Sequence, residues 1–576
     1  MRFVLFAALA APLLAQDPVL KAMKDEMERS KSLRLPNTPA PYYIEYGLDD
    51  VDTFNVSATL GALIGSGDSK IRAPRLAVRV GEPRFDNTNY MFSDFFGRGG
   101  GSRMPHEDDY DVIRHYFWLS TDRVFKGSIQ SLSRKISAIR NITQTEKLED
   151  FSKAEPVKLD LGKSKPVFHR DEWTAMVKRL SAVFNDYPRL TNSVVEFDSG
   201  YGTSYFVNSE GSEVKFPDDL FSVRVRASAQ APDGMLLHDG ISFHARALDQ
   251  FPSEAAIKTA IENFAKTLTS LLDAPMAEDY SGPVLLEGTA SPQLFAQIIG
   301  MNLGLTRKPV TEPGRNFPIP VSELEGRMGS RILPEWMDVV DDPLKESHEG
   351  RQLLGTYAVD MEGVKPVPVT VMEAGKVKNF LLTRQPVRGY SASNGHARLP
   401  GAFGAKMALF SNLFVNAKET SPDAELKKKL IELAVQRGKS YAMIIRRLDF
   451  PTTGTSEELQ RLSVATTQRG GGKVVSSPVL AYRVYPDGRE ELVRGLRFRS
   501  VNVRTFRDII AASDKPRQFD YVGNGVPLPG LGAGGYVAGH SVIAPSVLFE
   551  DLELDHREED NPNLPIVPSP IVRSSR

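Results

Sequence analysis

The sequence predicts an α+β protein of two domains, an N-terminal mixed α/β domain and a C-terminal domain rich in antiparallel β-sheet. The chain has 576 residues, well beyond the roughly 250–300 residues at which one hydrophobic core stops growing. Helical spacing of apolar residues recurs in the first half, whereas strand-like alternation dominates the second. The segment "PMAEDYSG", residues 275–282, interrupts both patterns. We therefore assign residues 16–278 and 279–556 to the two domains.

The first elements follow from changes of period along the chain. A helix is predicted over residues 18–33, followed by a strand pair over 41–67 and a further strand over 72–81. Residues 83–105 are rich in Gly, Asn and aromatic residues without periodicity, which predicts a long loop. Helical spacing returns over residues 107–140, where Thr121 or Asp122 is predicted to cap a second helix.

The remaining elements alternate in the same way. A helix over residues 170–186 is followed by a hairpin over 193–216, more strand over 220–251 and a strongly amphipathic helix over 253–274. The C-terminal domain is predicted to be mostly strands joined by turns such as "EAGK" and "YPDGRE". Its helices are predicted at 291–305, 422–437 and around 503–512. The Pro-rich tail, residues 557–576, is predicted to be loose.

The N-terminus has the pattern of a signal peptide. Arg2 precedes an apolar run, and Leu13 and Ala15 occupy the positions expected before a cleavage site at Gln16. Residues 1–15 are too short for a membrane-spanning helix, which needs about 20 apolar residues, and no other stretch qualifies. The chain has no cysteine. An exported protein without disulfides fits a bacterial periplasmic or secreted location.

Composition excludes several classes of function. Lys and Arg number 71 against 72 Asp and Glu, so the overall basic excess typical of nucleic-acid binders is missing. The lack of cysteine excludes thiolate catalysis and Cys-ligated zinc. None of the nine histidines forms an HExxH motif. His238 and His244 would share one face of a strand, and we regard them as weak candidates for a metal site.

The order of motifs in the C-terminal half resembles the TldD/PmbA family, whose names refer to metalloproteases and modulators of DNA gyrase; PmbA is also called TldE. The resemblance extends loosely over residues 20–555 and is closest over 280–550. The segments that carry it are Asp341–Pro343, Asp360–Gly363, the hairpin Glu373–Phe380, the loop Ser393–Arg398, and "YSGPVLLEGTASPQLFAQII" at the domain entry.

The resemblance also implies what is missing. In the TldD branch the helix after "GPV" carries HExxxH, whose Glu and two His form a metallopeptidase site. The matching positions here are Ala296, Gln297 and Met301. Alanine and methionine cannot replace imidazole ligands of zinc, and an amide cannot act as a carboxylate base. The PmbA branch also lacks the motif and pairs with a TldD subunit.

Three functional hypotheses follow. The first is a non-catalytic, PmbA-like subunit of an exported metallopeptidase assembly that acts on peptides, without a cofactor of its own. The second is an active metallopeptidase with a relocated metal site at His238, His244 or His396. The third is a stand-alone peptide-binding protein of the cell envelope. Whether the chain is an enzyme therefore stays open at the level of the sequence.

Assembly is predicted from the loop at residues 83–105. It carries Tyr90, Met91 and the aromatic residues Phe92, Phe95 and Phe96 within seven positions. Exposed aromatic residues at this density are typical of contact surfaces, although they can also fold back onto their own domain. We expect a homodimer, or a heterodimer with an HExxxH-bearing relative, that uses this loop. Neither a nucleic acid nor a membrane span is expected.

Overall fold

The computed structural model describes residues 17–92, 104–140, 147–311, 321–401, 405–452, 475–524, 536–557, 565 and 569–570. The N-terminal part contains four helices: α1 Pro18–Ser30, α2 Tyr110–Ile139, α3 Arg170–Ser181 and α4 Glu254–Asp273. Its strands are β1 Pro41–Thr59, β2 Ala62–Glu82, β3 Phe85–Asp86, β4 Tyr90–Met91, β5 Lys158–Asp160, β6 Asn192–Asn208, β7 Glu213–Pro217, β8 Leu220–Gln230 and β9 Leu236–Ala245.

All of these strands except β4 form one large sheet. Its order is β3-β2-β1-β6-β7-β5, and β6 also pairs with β8, which in turn pairs with β9. β6 is long enough to hold two neighbours on the same side, because β7 pairs with its second half and β8 with its first half. β1 and β2 are joined by Leu60 and Gly61, both with positive φ (51° and 84°), as in the type I′ turn of a tight hairpin.

All four helices cover the same face of this sheet. Alternate residues of β1 point toward them: Ile44, Tyr46, Leu48, Phe54, Val56 and Ala58. The first three pack with α1 and α2, and the last three pack with α3 and α4. The opposite face of the sheet meets the C-terminal domain, where Phe206 of β6 shares an apolar cluster with Val359. The sheet therefore has the helices on one face and part of the C-terminal domain on the other.

The C-terminal part contains α5 Ala290–Ile298 and α6 Asp423–Gln436. Its strands are β10 Tyr280–Leu286, β11 Val310–Thr311, β12 Met337–Asp341, β13 Ser347–His348, β14 Arg351–Gln352, β15 Val369–Glu373, β16 Lys376–Val377, β17 Ala397–Pro400, β18 Lys406–Ala408, β19 Asn412–Ala417, β20 Ala442–Leu448, β21 Pro478–Val484, β22 Glu490–Val493, β23 Leu496–Phe498, β24 Ile509–Ala512, β25 Arg517–Gly523, β26 Ala538–Ala544 and β27 Val547–His556.

Two sheets enclose the core of this domain. One has the order β22-β21-β20-β10-β27-β23, with β24 also on β27, and the other has the order β16-β15-β12-β19-β26-β25. Most pairs are antiparallel, but β10–β20 and β19–β26 are parallel. α5 lies between the sheets and contacts β20 on one side and β25 and β26 on the other. The predicted α+β class with two domains is confirmed.

Three predictions about single elements are wrong. Thr121 does not begin a second helix, because its Oγ1 donates to Phe117 O at 2.6 Å inside the continuous helix α2. The strand predicted at 72–81 is the second half of β2, which pairs with β1 along its length. The helix predicted around 503–512 is a 3₁₀ turn, Thr505–Asp508, followed by β24, because pairing with β27 outweighs the local spacing of apolar residues.

Candidate functional site

Helix α5, where the resemblance places the metal-binding motif, is packed into the core of the C-terminal domain. Ala296 has no exposed surface and belongs to the apolar core of the domain. Met301 lies beyond the end of the helix, in the 3₁₀ turn Gly300–Asn302, and is 38% exposed. Gly300 leaves room for Phe410, since a Cβ there would lie 2.4 Å from the ring. The two positions face different surroundings, and neither presents an imidazole.

Gln297, at the position of the motif's glutamate, binds the backbone. Its Oε1 accepts a hydrogen bond from Ser476 N at 2.9 Å. One turn earlier, Gln293 Oε1 accepts from Leu448 N at 2.8 Å. Leu448 and Ser476 lie on either side of residues 453–474, which are outside the described residues. The two glutamines therefore hold the chain before and after that segment.

The histidines proposed as weak metal candidates are not brought together. His238 Nε2 lies 3.0 Å from Asp449 Oδ2. His244 Nδ1 lies 2.8 Å from Ser222 Oγ, and its Nε2 lies 3.0 Å from Ser242 Oγ. Both histidines are on β9, six residues apart, which corresponds to roughly 20 Å at 3.3 Å per residue. One ion could not bind both rings at that distance.

His396 has a different environment, in the core of the C-terminal domain. Its Nε2 lies 2.9 Å from Asp341 Oδ2, and both side chains are fully buried. Asp341 also accepts hydrogen bonds from Ser411 N and Oγ at 2.7 and 2.8 Å. This network joins two of the family-like segments. Within the described ranges, no group of three or more His, Asp or Glu side chains is placed to hold a metal ion.

The aromatic loop is described only in part. Phe92 is half-buried, with its ring 4.7 Å from Tyr90 and 4.0 Å from the Arg134 guanidinium of α2. It therefore packs against its own domain. Phe95 and Phe96 lie outside the described residues, so the predicted contact surface remains a prediction.

A cleft of about 1130 Å³ lies between the two domains. One wall is the polar face of β8 and β9, whose alternate residues face away from α3 and α4. The other wall comes from the C-terminal domain, with residues of β20 and β25 and the chain that follows β20. Gln293 of α5 reaches this wall, so the helix borders the cleft.

An open sheet edge runs along the cleft. Among the described strands, β9 pairs with β8 alone. Ala231 N donates to Met235 O at 2.9 Å, and hydrogen-bonded pairs alternate along an antiparallel hairpin. In the observed register the backbone N–H and C=O groups of His238, Ser242 and His244 consequently point away from β8. Unpaired backbone groups of this kind are a template for another strand.

Ion pairs line the cleft and tie the domains together at one end. On the N-terminal wall, Arg224 Nη2 lies 2.7 Å from Asp198 Oδ2. Across the cleft, Arg447 binds Asp239, and burial raises the pKa of that carboxyl. Burial also lowers the pKa of His244 to about 4, so its ring is neutral at physiological pH. The edge of β9 therefore offers polar, mostly uncharged groups to a ligand.

A buried pair of carboxyl groups lies at the opposite junction of the domains. Asp360 Oδ1 accepts hydrogen bonds from Glu362 N and Val364 N at 2.9 Å. Burial, and then the charge of Glu362, raise the pKa of Asp360 to about 7. Glu362 Oε2 accepts from Arg384 N at 2.6 Å, and the Arg384 guanidinium donates to the Ser152 carbonyl of the N-terminal domain. Ionisation here acts directly on the contact between domains.

Sequence reasoning singled out His238 and His244 but missed the cleft that they line. The alternation in "SVRVRASAQ", residues 222–230, indicated a strand with one polar face. Nothing in the sequence indicated that β9 would have only β8 as a neighbour among the described strands. That depends on which strands are neighbours in the folded sheet.

Comparison with known proteins found a sequence family that matches one segment of the chain and solved structures that share its fold. Residues 281–438 match the family described as PmbA/TldA metallopeptidase C-terminal domain. Among solved structures, a protein described as a modulator of DNA gyrase from Thermotoga maritima aligns with a TM-score of 0.55 and 15% identity. The alignment covers 89% of this chain and 96% of that one. No curated protein sequence matches the chain.

Two further solved structures share the fold. TldE from Thermococcus kodakarensis aligns with a TM-score of 0.54 and 12% identity, over 93% of this chain and 100% of that one. A protein described as a modulator of DNA gyrase from Bacteroides thetaiotaomicron has a TM-score of 0.53 and 10% identity, over 93% and 98%. At these identities the likeness concerns the fold. The TldD/PmbA resemblance predicted from the sequence is confirmed.

Proposed function

Because the chain carries the C-terminal domain of the TldD/PmbA family, we propose that it is a non-catalytic, exported member that binds polypeptides in the cleft between its domains. It acts as the companion of an HExxxH-bearing metallopeptidase subunit, to which it contributes peptide binding. The observation that carries the proposal is the state of α5. Ala296 is buried in the apolar core, and the Gln297 amide is bonded to backbone.

Chemistry at α5 supports the non-catalytic part. A zinc peptidase needs ligands that leave one coordination position open to water and a carboxylate that activates it. The methyl group of Ala296 and the thioether of Met301 supply neither. Gln297 is neutral, and its carbonyl oxygen already accepts from Ser476 N. The helix therefore serves packing and holds the wall of the cleft.

The edge of β9 supports the peptide-binding part. An extended peptide can add to an open edge through main-chain hydrogen bonds, which are independent of its side chains. The groups available are the N–H and C=O of Ser242 and His244. Gly240 N–H already donates to Asp239 Oδ1 at 2.8 Å, so pairing there requires exchange of that bond. The cleft volume suits a single strand with its side chains.

Zinc content tests the non-catalytic assignment. We expect the purified mature chain, loaded with zinc and then dialysed, to retain far less than one equivalent by elemental analysis. A relative with an intact HExxxH helix, treated in parallel, is the positive control. Retention of one equivalent that is lost in His238→Ala, His244→Ala or His396→Ala would replace this proposal by the relocated-site hypothesis.

Light scattering tests the companion role. The chain is measured alone and after mixing with the HExxxH-bearing relative encoded by the same genome, and we expect a new species at the mass of a mixed complex. Peptide hydrolysis should appear only in the mixture. Peptide binding by a chain that stays monomeric under both conditions would favour a stand-alone envelope binding protein.

Export completes the proposal and rests on residues 1–15. The apolar run after Arg2 and the small residue Ala15 are typical of a cleaved signal peptide. Among the residues that the structure describes, no helix has the length and apolarity needed to cross a membrane. Intact-mass measurement of the native protein should give a chain that begins at or near Gln16. Retention of residues 1–15 in the envelope fraction would contradict cleavage.

A further inference from the structure

Among the described residues, the buried arginines are paired with carboxylates, as expected for charges removed from water. In each of four cases a carboxylate oxygen lies within 3 Å of the guanidinium: Arg72 with Asp108, Arg79 with Asp86, Arg384 with Glu210, and Arg494 with Asp233. A guanidinium held at the interface between the domains is therefore also expected to have a carboxylate partner.

Arg398, in β17, departs from it. The side chain is half-buried, with Nη1 donating to Phe410 O at 3.1 Å and Nη2 donating to Gly539 O at 2.9 Å. Its guanidinium lies 4.4 Å from the centre of the Tyr357 ring. Within the described part of the chain, no carboxylate lies at salt-bridge distance from it. Carbonyl groups and a ring orient this cation, but none of them neutralises it.

A second guanidinium comes from the other domain. Arg246 follows β9, and its Nε and Nη2 donate to Leu354 O at 3.2 and 3.1 Å. Its Nη1 is 3.4 Å from Asp218, whose side chain is 52% exposed. Leu354 lines the cleft, and a Cβ on Gly539 would lie 2.5 Å from Leu354 O. The Leu354 backbone therefore connects the surroundings of Arg246 and Arg398.

The charges that act on Arg398 come from one other cation, Arg246, and from two carboxylates, Asp341 and Asp218, and among the described residues neither carboxylate lies at salt-bridge distance from it. Burial lowers the pKa of Arg398, and the charge of Arg246 acts in the same direction, whereas Tyr357, Asp341 and Asp218 oppose it. Asp341 is occupied by Ser411 and His396, as described above. His540 is neutral at physiological pH, because burial and then the charge of Arg398 lower its pKa well below the usual value.

We propose that Arg246 and Arg398, one from each domain, form a subsite for a carboxylate of the peptide held along β9. The inference rests on the proposed function and names a chemical feature of its ligand. Guanidinium groups bind carboxylates through paired, charge-assisted hydrogen bonds, and each arginine retains N–H groups that no hydrogen bond described above uses.

Two sources of the carboxylate share this chemistry: the C-terminus of the peptide and an acidic side chain. A C-terminal carboxylate at Arg246, just beyond Ala245, requires the peptide to run parallel to β9. An acidic side chain allows either direction. The experiment is designed to separate these sources.

The test uses the mature full-length chain and three fluorescein-labelled octapeptides of valine and threonine, followed by fluorescence anisotropy. The first has a free C-terminus, the second has a C-terminal amide, and the third has the amide and one internal glutamate. We expect the free acid to bind about tenfold more tightly than the amide, the size expected when one charge-assisted contact is lost. Recovery of affinity by the third peptide would assign the subsite to acidic side chains instead.

Arg398→Gln and Arg246→Gln should reduce the difference between acid and amide to less than about twofold, with little change in the affinity for the amide. Arg437→Gln, at the end of α6 and paired with Glu550, is the matched control and should preserve the difference. Equal affinity of all three peptides for the wild-type chain would overturn the subsite while leaving peptide binding intact. Thermal melting of each variant verifies folding.

A second measurement does not depend on peptide binding. Acetate at 100 mM should raise the melting temperature of the wild-type chain relative to chloride at equal ionic strength, because a ligand that binds only the folded state stabilises it. The rise should disappear in Arg398→Gln. If no peptide binds but this acetate effect is present, the subsite stands and the peptide-binding proposal falls. If acetate has no such effect in the wild type either, the subsite is overturned.

Discussion

Two strands at open edges of the same N-terminal sheet, β2 and β9, differ in how their edges are protected. β2 has an unpaired edge over most of its length, since β3 covers only Gly81 and Glu82. Between Ser66 and Leu76 it carries Pro74 together with four charged residues. β9, "LLHDGISFHA", contains no proline, lysine or arginine.

The edge of β2 is also capped where it is apolar. Asn87 Oδ1 accepts from Val80 N at 2.8 Å, and Asn87 Nδ2 donates to Val78 O at 3.3 Å. Proline and charged residues are the usual means of blocking edge-to-edge association. β9 lacks them, and its residues line the cleft between the domains. The two edges therefore differ in how their sequences deter pairing, and under the proposed function the edge of β9 that lacks proline, lysine and arginine is the one that binds peptide.

The distinction between the two edges requires that peptides pair with the open edge of β9. Ser242→Pro removes an N–H that points into the cleft, without loss of a ladder hydrogen bond to β8. We expect peptide affinity to fall at least about tenfold by fluorescence anisotropy, since a main-chain bond is lost and the ring obstructs pairing. Ser242→Ala separates the effect of the hydroxyl.

Ser66→Pro is the matched control on β2. Backbone N–H groups point alternately to the two sides of a strand, and Ser66 is an even number of residues from Val78 and Val80. Its N–H therefore also points away from the sheet. It should leave peptide affinity within about twofold, because the change is of the same kind but far from the cleft. A similar loss of affinity in both variants, or in neither, would end the distinction between the two edges.

Replacement of the proline and lysine that protect the edge of β2 should promote association between chains rather than weaken peptide binding. In Pro74→Val with Lys70→Thr, a backbone donor is restored and the charge that deters pairing is removed. We expect concentration-dependent association beyond the state of the wild-type chain, measured by light scattering. A variant that keeps the wild-type mass at all concentrations would show that proline and lysine do not protect this edge.

Ionisation of Asp360 at the contact between the domains should affect β9, which faces the C-terminal domain, more than the outer half of β2. The folded-state pKa of Asp360 is raised from the usual 3.8 to about 7, so the folded chain binds more protons than the unfolded chain between those values. The free energy of unfolding should therefore fall from this source as pH rises from about 4 to about 7. Urea unfolding at pH 5 and pH 8 measures the change.

Glu362→Gln removes the neighbouring charge that raises the pKa of Asp360. The loss of stability between pH 5 and pH 8 should then be smaller than in the wild type. Hydrogen exchange at pH 8, corrected for its intrinsic rate, should increase in β9, which faces the C-terminal domain, more than in the outer half of β2. Identical pH dependence in both chains would contradict the role of this carboxyl pair.

The smallest effect is expected at α5. Gln297→Ala leaves Ser476 N without its acceptor and should lower the free energy of unfolding by about 1 kcal/mol. Peptide affinity should fall by less than about threefold, since the wall of the cleft loosens while β9 is unchanged. Denaturant titration and anisotropy measure the two quantities. A complete loss of binding in a folded Gln297→Ala variant would place this residue in the site itself.

Local pattern was sufficient for much of the fold and for one part of the site. Ile257, Ile261, Phe264 and Leu268 predict the buried face of α4 because helical period depends on nearest neighbours along the chain. The absence of zinc ligands at Ala296, Gln297 and Met301 is likewise a matter of residue identity, which tertiary structure does not change. The predicted break in α2 failed because Thr121 can bond within a helix as well as cap one.

The sequence by itself determined the two-domain α+β class, the buried helix α5 and the residue types at Ala296, Gln297 and Met301, none of which is an imidazole or a carboxylate. Only the tertiary structure decided that β9 would be an edge strand among the described strands, that β24 would replace a helix, and that Arg246 would bind the Leu354 carbonyl close to Gly539, which binds Arg398. Each of these outcomes depends on contacts between residues far apart in the chain. Strand period is the same for a central strand and an edge strand, so periodicity cannot tell which neighbours a strand will have.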